Sequence, residues 1–278
     1  MRKVTSSVLL CAQKLPTVRS ASEYIDRLQT DGRLTFTTEA AVEALGGSLP
    51  AVRAQLRRLK EKGHIADPMR GFHVIVPPKY RRLGCLPAEQ LVPPLMEHLG
   101  EPWYVGLLSA AALQGAAHQA PMAFQVVVPE ARRGLSCGGV RVDFVVRHGM
   151  AQTPFSKRNV ATGVLHVASP AATALELVGY PERCGYLDNV ATVLAELAEQ
   201  INPVELANEA RRAPVAWGQR LGYLLVVVGQ EALAASLEPV LSERSMFTVP
   251  LAPWQPMRGA ARDSRWRIAV NTEVESEA

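Results

Sequence analysis

The chain has 278 residues, of which 48% are apolar and 20% charged, values typical of a globular protein with an apolar core. Its length suits two ordinary domains, and its longest apolar runs are too short to span a bilayer. The net charge is unevenly spread: residues 1–82 hold 15 Lys and Arg against 7 Asp and Glu (+8), and residues 83–278 hold 15 against 19 (−4). This asymmetry predicts a first domain for a polyanion and a second domain for another task.

The spacing of the cysteines and the first residues of the chain indicate the cellular compartment of the protein. The four cysteines (Cys11, Cys85, Cys137 and Cys184) are scattered and form no CxxC pair. This spacing argues against a disulfide framework or a thiolate zinc site and favours a reducing cytoplasm. The opening "MRKVTSSVLLCAQKLP" imitates a secretion signal, but polar residues at positions 5–7 interrupt its apolar run. We therefore expect a cytoplasmic protein.

Capping residues and turn signals divide the first domain into short elements. Ser20 and Glu23 have the spacing of a capping box, Pro50 suits the first turn of a helix, and Gly63 suits a helix end. The predicted elements are a helix opening at Ser20, a strand at Leu34–Phe36, a helix capped by Thr37 or Thr38, a helix capped by Ser48 and stopped by Gly63, and two strands around a tight turn at Asp67–Gly71, the second at Phe72–Val76.

The third helix has one apolar stripe and an otherwise basic surface. Val52, Leu56 and Leu59 recur at helical spacing, so they predict the buried side. The other positions carry five Lys or Arg against a single acid, Glu61. A charge run is often only a solvated face, and helix-turn-helix cores also serve as protein–protein modules. The wing with its own Arg70, together with the +8 charge, favours a nucleic-acid groove instead.

The order of elements predicts a winged helix-turn-helix domain over residues 1–82 that binds duplex DNA. Small residues at the helix face let the backbone approach bases, while flanking cations suit phosphates. The predicted DNA-binding residues are Thr38, Ser48, Ala51, Arg53, Ala54, Arg57, Arg58, Lys60, Lys62, Arg70 and Lys79.

The second domain, residues 83–278, follows the Pro-rich joint "PPKYRRLGCLP" and alternates helical and extended segments. We therefore predict an α+β protein in which the winged helix precedes a larger mixed α/β domain. The helical candidates are Ala88–Leu99, Val105–Ala117, Pro170–Val178, Leu187–Gln200, Pro203–Ala210, Ala216–Val228 and Ala232–Leu241. The strand candidates are Phe124–Val128, Val140–Val146, Val164–Val167, Met246–Val249 and Trp266–Val270.

No segment of the second domain forms an enzyme signature. The histidines lack metal-ligand spacing, "GLLSA" around Ser109 lacks the glycines of a nucleophile elbow, and no P-loop lysine follows "RRGLSCGGVR". Asp143 in "VRVDFVV" is the best candidate metal ligand, but no E-x-K accompanies it. Glu176 in "ALELV" is predicted to be a half-exposed helix residue. We predict no catalytic residues, no metal and no cofactor.

Several stretches resemble the AbiEi-type antitoxins of bacterial abortive-infection toxin–antitoxin pairs. The winged-helix pattern resembles their N-terminal domain, and "PWYVGLLSAAALQGAAHQ" (Pro102–Gln119) is similar to their Y-x-G-x-x-S-A-x-x-x-x-G stretch. The strand "FQVVVP" and the segment "VLHVASPAATALELV" (Val164–Val178) are also similar. The resemblance covers most of the chain up to about residue 230.

The resemblance implies two functions. The N-terminal domain would bind promoter inverted repeats and repress its own operon, and the C-terminal domain would neutralise a nucleotidyltransferase-like AbiEii-type toxin, with or without direct contact. A ligand-responsive repressor without a toxin partner is the alternative. An enzyme tethered to DNA is a third possibility, which the missing catalytic signature disfavours.

Overall fold

The protein is described by a computed structural model over residues 18–116 and 121–275. The signal-like opening lies outside the described residues, as does the end of the "PWYVGLLSAAALQGAAHQ" stretch. The chain divides between Leu86 and Pro87 into two compact units. In the described ranges no helix has the length and apolar character needed to cross a membrane.

The first unit combines three helices with a three-stranded antiparallel sheet. Its helices and strands are α1 (Ala21–Thr30), β1 (Thr35–Thr37), α2 (Thr38–Leu45), α3 (Leu49–Glu61), β2 (Ile65–Met69) and β3 (Phe72–Ile75). Strand β3 lies between β1 and β2 and is antiparallel to both. The helices and strands therefore follow one another in the order expected from the sequence.

Side-chain caps start two of these helices where the sequence predicts them. The Ser20 hydroxyl accepts a hydrogen bond from the Glu23 amide at 3.2 Å, and the Thr37 hydroxyl accepts one from Ala40 at 3.1 Å. Each cap satisfies an amide that has no partner inside its helix. Ser48 occupies the capping position of α3, but its side chain makes no capping hydrogen bond. The start of α3 is instead fixed by Pro50 in its first turn.

The apolar stripe of α3 forms the centre of the first core. Val52, Leu56 and Leu59 are all buried and pack with apolar residues of α1. Tyr24 of α1 meets Phe36 of β1 edge to face, with ring centroids 5.4 Å apart. Burying apolar surface contributes about 25 cal/mol per Å², so this stripe orients α3 and leaves its other side to solvent.

The hairpin turn is shorter than predicted. We expected a turn over Asp67–Gly71, but β2 continues to Met69 and β3 begins at Phe72. The pairing shifts between Ala66 and Met69, so Asp67 and Pro68 lie in a bulge of β2. A bulge bends a strand and re-aims its side chains, which is why a Pro and an Asp are accommodated inside it.

The second unit is larger and also mixes helices with sheets, which confirms the expected α and β composition. Its helices are α4 (Ala88–Leu99), α5 (Leu107–Leu113), α6 (Pro170–Gly179), α7 (Tyr186–Leu197), α8 (Pro203–Arg212), α9 (Val215–Val227), α10 (Glu231–Ala235) and α11 (Glu238–Arg244). Its strands are β4 (Tyr104–Val105), β5 (Phe124–Val128), β6 (Leu135–Cys137), β7 (Val140–Val146), β8 (Phe155–Val160), β9 (Gly163–Ala168), β10 (Val249–Pro250), β11 (Ala261–Asp263) and β12 (Ile268–Val270).

A mixed six-stranded sheet supports this unit. Its strand order is β6-β7-β5-β4-β9-β8, with parallel pairing between β5 and β7 and between β4 and β9. A three-stranded sheet of order β10-β12-β11 lies near the end of the described chain. The largest apolar core joins residues of β4, β5 and β9 to helices α5 to α9. Helix α6 is buried along eight consecutive residues, 171–178, so it is surrounded on all sides.

Several predicted elements differ in extent from those observed. The helix expected over Ala232–Leu241 is broken into α10 and α11, with Pro239 in the first turn of α11. The helix expected from Val105 starts only at Leu107, because Gly106 is its extended cap residue. Strand β8 was not predicted, since five of its six residues are exposed and polar or charged residues predominate. Such a sequence lacks the alternating apolar pattern of a half-buried strand.

Candidate nucleic-acid interface and a buried polar cluster

The exposed side of α3 carries one sign of charge along most of its length. Each of its predicted contact cations is exposed: Arg53, Arg57, Arg58, Lys60 and, at the helix end, Lys62. The 13 residues of α3 extend over roughly 20 Å, a length comparable to that of an inserted recognition helix. The apolar stripe fixes this basic surface toward solvent, where a polyanion can reach it.

An open groove with a volume of about 740 Å³ runs beside this surface. It is bounded by α3, the start of α2 and the β2–β3 hairpin, and its lining is Thr38, Glu39, Arg53, Leu56, Arg57, Lys60, Asp67, Pro68, Met69, Arg70, Gly71 and His73. Five of the predicted DNA-binding residues therefore share one groove: Thr38, Arg53, Arg57, Lys60 and Arg70.

The other six predicted residues do not line the groove; they are Ser48, Ala51, Ala54, Arg58, Lys62 and Lys79. Ala54 is half-buried, so only part of its surface is accessible, whereas the other five are exposed. Lys79 lies in a short 3₁₀ turn, Pro78–Tyr80, with its ammonium 4.7 Å from the centroid of the Tyr80 ring. The groove therefore contains some of the predicted residues of α3 together with hairpin residues that were not predicted.

A chain of polar contacts ties three sides of the groove together. Nε2 of the buried His73 lies 2.8 Å from the Thr38 hydroxyl, and Nδ1 lies 2.7 Å from Oδ1 of Asp67. The other Asp67 oxygen, Oδ2, lies 2.9 Å from the Lys60 ammonium. An ionised Asp67 can only accept, so Nδ1 carries the proton and, in the neutral ring, Nε2 accepts from Thr38. We call these four residues the polar relay.

The polar relay shifts the pKa of Asp67 and gives Lys60 a partner within the protein. The hydrogen bond from His73 is the main reason why the pKa of Asp67 lies below its ordinary value. The adjacent Lys60 also lowers this pKa, whereas partial burial raises it. Lys60 was predicted as a phosphate contact, yet its ammonium is already paired with Asp67. Arg57 lies 3.6 Å from Glu61 with both side chains largely exposed, and a pair of this kind contributes little free energy.

Sequence reasoning missed His73 and Asp67 as part of this groove. Both belong to the hairpin, but a regular turn over Asp67–Gly71 would not bring Asp67 beside His73. The bulge in β2 does so, and a bulge has no reliable sequence signal beyond an unusual residue such as Pro68 inside a strand.

Glu176 of the second unit is fully buried, so the prediction that it is half-exposed is wrong. Its carboxylate accepts from the Tyr104 hydroxyl at 2.6 Å, the Leu107 amide at 3.2 Å and Nη1 of Arg147 at 2.6 Å. Arg147 also donates from Nη1 to the Tyr104 oxygen at 3.0 Å. These donors satisfy a charge that would otherwise be very costly to bury. We call Tyr104, Arg147 and Glu176 the buried polar cluster.

Burial and mutual charge shift the titration of the buried polar cluster. Burial raises the pKa of Glu176, while Arg147 and the Tyr104 hydroxyl oppose this rise. Burial favours proton loss from Arg147, but Glu176 and Tyr104 together outweigh it, so the pKa of Arg147 lies above its ordinary value. Burial, followed by the charge of Glu176, raises the pKa of Tyr104. The phenol therefore keeps its proton and donates to Glu176.

The Y-x-G-x-x-S stretch quoted above surrounds this cluster. Tyr104 supplies the phenol, and Gly106 lacks the side chain that would collide with Glu176: a Cβ there would lie 2.5 Å from Oε2. The Ser109 hydroxyl accepts from the Gln125 amide at 2.8 Å, and the Gln125 side chain accepts from Leu108 at 3.0 Å. The motif thus has a structural role that its sequence alone did not disclose.

Asp143, the best candidate for a metal ligand, lies on β7 with its side chain half exposed. Its nearest opposite charge is Arg183, whose Nη1 is 3.7 Å from Oδ2. Within residues 18–116 and 121–275, no three His, Cys, Asp or Glu side chains are grouped as metal ligands. The short strand β6 and β7 form the hairpin that contains the "RRGLSCGGVR" turn.

Comparison with known proteins finds a family match within the second unit. Residues 104–227 match the family model "AbiEi antitoxin C-terminal domain", a range that includes all of the buried polar cluster. The fold is similar to that of the RV2827C protein from Mycobacterium tuberculosis, with a TM-score of 0.64 at 19% sequence identity over 89% of this chain and 90% of that chain. At this identity the likeness concerns the fold alone. No curated protein matches the sequence significantly.

Proposed function

We propose that this chain is an AbiEi-type antitoxin, which neutralises a nucleotidyltransferase-like toxin through the second unit and represses its own operon through the first; the family match at residues 104–227 supports this proposal. The match to the family model supports the antitoxin role. The basic outer face of α3 beside a groove supports the role in DNA binding. The AbiEii-type toxin and the inverted repeats of the promoter are the partners that follow from the proposal.

The first unit would bind DNA as a winged helix. Helix α3 would enter the major groove, Arg57 and Arg58 would reach base edges, and Arg53 and Lys62 would contact phosphates. Arg70, at the tip of the β2–β3 hairpin, would serve as the wing contact. The polar relay would hold the hairpin at a fixed distance from α3, since Asp67 is bonded to both His73 and Lys60.

One experiment tests both halves of the proposal. The full chain and an Arg53/Arg57/Arg58 triple alanine variant are each co-expressed with the product of the neighbouring gene, the candidate toxin, and promoter binding is measured by gel shift. We expect the wild type to rescue growth and bind the promoter, and the variant to rescue growth without binding. Loss of rescue in a folded variant would contradict the separation of roles, and unchanged promoter binding would contradict the DNA interface.

The division at residues 82 and 83 is tested with fragments. A fragment that starts at Leu83 should fold, protect cells from the toxin and lose promoter binding, whereas a fragment that ends at Arg82 should bind DNA. Cys85 and Leu86 are fully buried, so a second pair of fragments divided between Leu86 and Pro87 controls for the choice of boundary. Circular dichroism establishes that each fragment is folded. Protection by the basic fragment alone would reverse the assignment.

A further inference from the structure

A cleft of about 340 Å³ opens beside the buried polar cluster in the second unit. It is bounded by the end of β7, the segment after it, and helices α8 and α9, and the side chains that matter are Arg147, Tyr180, Glu209, Arg212 and Trp217. The volume lies within the range of small-molecule sites. The proposed antitoxin and repressor roles assign no task to this cleft.

Arg147 reaches this cleft with half of its guanidinium unused. Its side chain is 7% exposed, and its hydrogen bonds to Tyr104 and Glu176 both leave from Nη1. Nε and Nη2 have no acceptor in the part of the chain that the structure describes. Both nitrogens are nevertheless not sealed inside the protein, so a ligand in the cleft can reach them. Those two nitrogens form the edge of a guanidinium that matches two oxygens of a phosphate or carboxylate.

The guanidinium is also held in a fixed orientation. Its carbon lies 5.5 Å from the centroid of the Trp217 ring, and Trp217 in turn meets Tyr180 edge to face at 5.2 Å. The bond to Glu176 fixes the other side. A donor that is already immobilised loses little conformational entropy when a ligand binds, which favours affinity.

Two further features make the cleft suitable for an anion. Helix α9 starts there: Pro214, its capping residue, lines the cleft, and no side chain caps the first amides. Helix N-termini attract negative groups. Arg212 adds a second guanidinium, which is half exposed and bonded to Glu209 at 2.7 Å.

Glu209 is the one acidic side chain in the lining, and it opposes an anion. Burial raises the pKa of Glu209, while Arg212 and, more weakly, Arg147 oppose this rise. Arg147 and Arg212 line the same cleft as Glu209, so the two positive charges lie around a common region. A bound anion would share Arg212 with Glu209.

We propose that this cleft binds the phosphate group of a small molecule, with Arg147 donating from Nε and Nη2 and Arg212 supplying a second positive charge. A carboxylate presents only two oxygens, which the Nε–Nη2 edge of Arg147 alone would satisfy. A phosphate monoester carries up to two negative charges, so it makes use of both guanidinium groups and of the start of α9.

Calorimetric titration of the full chain tests the proposal with AMP, inorganic phosphate, adenosine and succinate. The titrations are made in the Arg53/Arg57/Arg58 triple alanine background, so that binding to the basic face of α3 does not contribute. We expect AMP and phosphate to bind, and adenosine and succinate to bind at least tenfold more weakly. Failure of AMP and phosphate to bind, or equal binding of adenosine or succinate, would overturn the proposal.

Variants locate the binding within the cleft. Arg212→Ala should weaken AMP binding about tenfold, the typical effect of losing a charged hydrogen bond. Glu209→Gln should strengthen it several-fold because the competing negative charge is removed. The matched control is Arg211→Ala, on the same helix and exposed but outside the cleft, which should leave affinity unchanged. Arg147→Lys keeps the charge but loses the two-nitrogen edge, so it should also weaken binding if the variant folds.

The surface variants keep the test decisive if Arg147→Lys does not fold. AMP affinity that is unchanged in both Arg212→Ala and Glu209→Gln would place the ligand elsewhere and refute the site. Equal weakening by Arg211→Ala would show binding to general positive charge and would refute it as well. Because none of these titrations measures promoter binding or rescue from the toxin, their outcome is independent of the proposed function.

Discussion

Gly106 and Glu176 lie so close together that no side chain fits between them. A Cβ on Gly106 would be 2.5 Å from Oε2 of Glu176 and 2.6 Å from Cγ2 of Val127. The backbone of Gly106 is extended, with φ −126°, so its conformation suits any residue. The absence of a side chain, and not the flexibility of glycine, is therefore what this position requires.

Gly106→Ala should destabilise the second unit by about 3 kcal/mol, because overpacking a buried site forces its neighbours out of position. The measurement is chemical denaturation followed by circular dichroism. Gly47→Ala is the matched control, since its Cβ would meet Val52 at an ordinary 3.6 Å. An equally small effect of both substitutions would contradict the close contact.

Thr38→Val tests the polar relay. Valine keeps the shape of threonine but leaves Nε2 of the buried His73 without its partner at 2.8 Å. An unsatisfied buried polar atom costs about 1–3 kcal/mol, so the free energy of unfolding of the first unit should fall by that amount. Thr30→Val, which removes an exposed hydrogen bond to Asp26, should change stability by less than about 0.5 kcal/mol. Equal effects of the two variants would argue against the relay.

Asp67 gives the relay a pH dependence. Its pKa in the folded protein is lowered from 3.8, first by the hydrogen bond from His73. Its stabilising contribution is therefore complete above the unfolded pKa and is lost as the pH falls through the lower, folded pKa. The difference in Tm between the wild type and Asp67→Asn should be constant from pH 7 to about pH 5 and should shrink toward pH 3. A difference that grows in acid would contradict this assignment.

The basic residues along α3 should differ in what they contribute to DNA binding. Arg57→Ala should reduce the discrimination between promoter and random DNA by about 1–3 kcal/mol, as expected for a base contact. Lys62→Ala, which removes a proposed phosphate contact, should weaken binding to all sequences alike and reduce the salt slope by about 1. Arg33→Ala, exposed but outside the groove, is the control in gel shifts at several salt concentrations. The reverse pattern for Arg57 and Lys62 would contradict the proposed docking of α3.

Local patterns explain which parts of the fold were predictable. The stripe of Val52, Leu56 and Leu59, the caps at Ser20 and Thr37, and the boundaries of α4 all follow from neighbouring residues. The burial of Glu176 does not, because its partners Arg147 and Tyr104 are 29 and 72 residues away. A carboxylate in an apolar helix is indistinguishable from a surface residue until these donors are known.

The same limit applies to the groove and to the cleft. The cations of α3 were predicted because one helix presents them, whereas the relay depends on a bulge that moves Asp67 beside His73. Arg147 received no role from the sequence, because nothing near it indicates that α8 and α9 converge on the end of β7. Contacts between residues that are far apart in the sequence therefore could not be predicted from local patterns.

The sequence separations within the buried polar cluster also bear on how fast the protein folds and unfolds. The contacts of Glu176 close loops of 29, 69 and 72 residues, so their closure entropy is overcome only after much of the chain is ordered. We expect these contacts to be absent from the folding transition state, so that Tyr104→Phe accelerates unfolding and hardly slows refolding. The cluster would then set the lifetime of the native state, and with it the time for which a molecule of this protein resists forced unfolding and degradation.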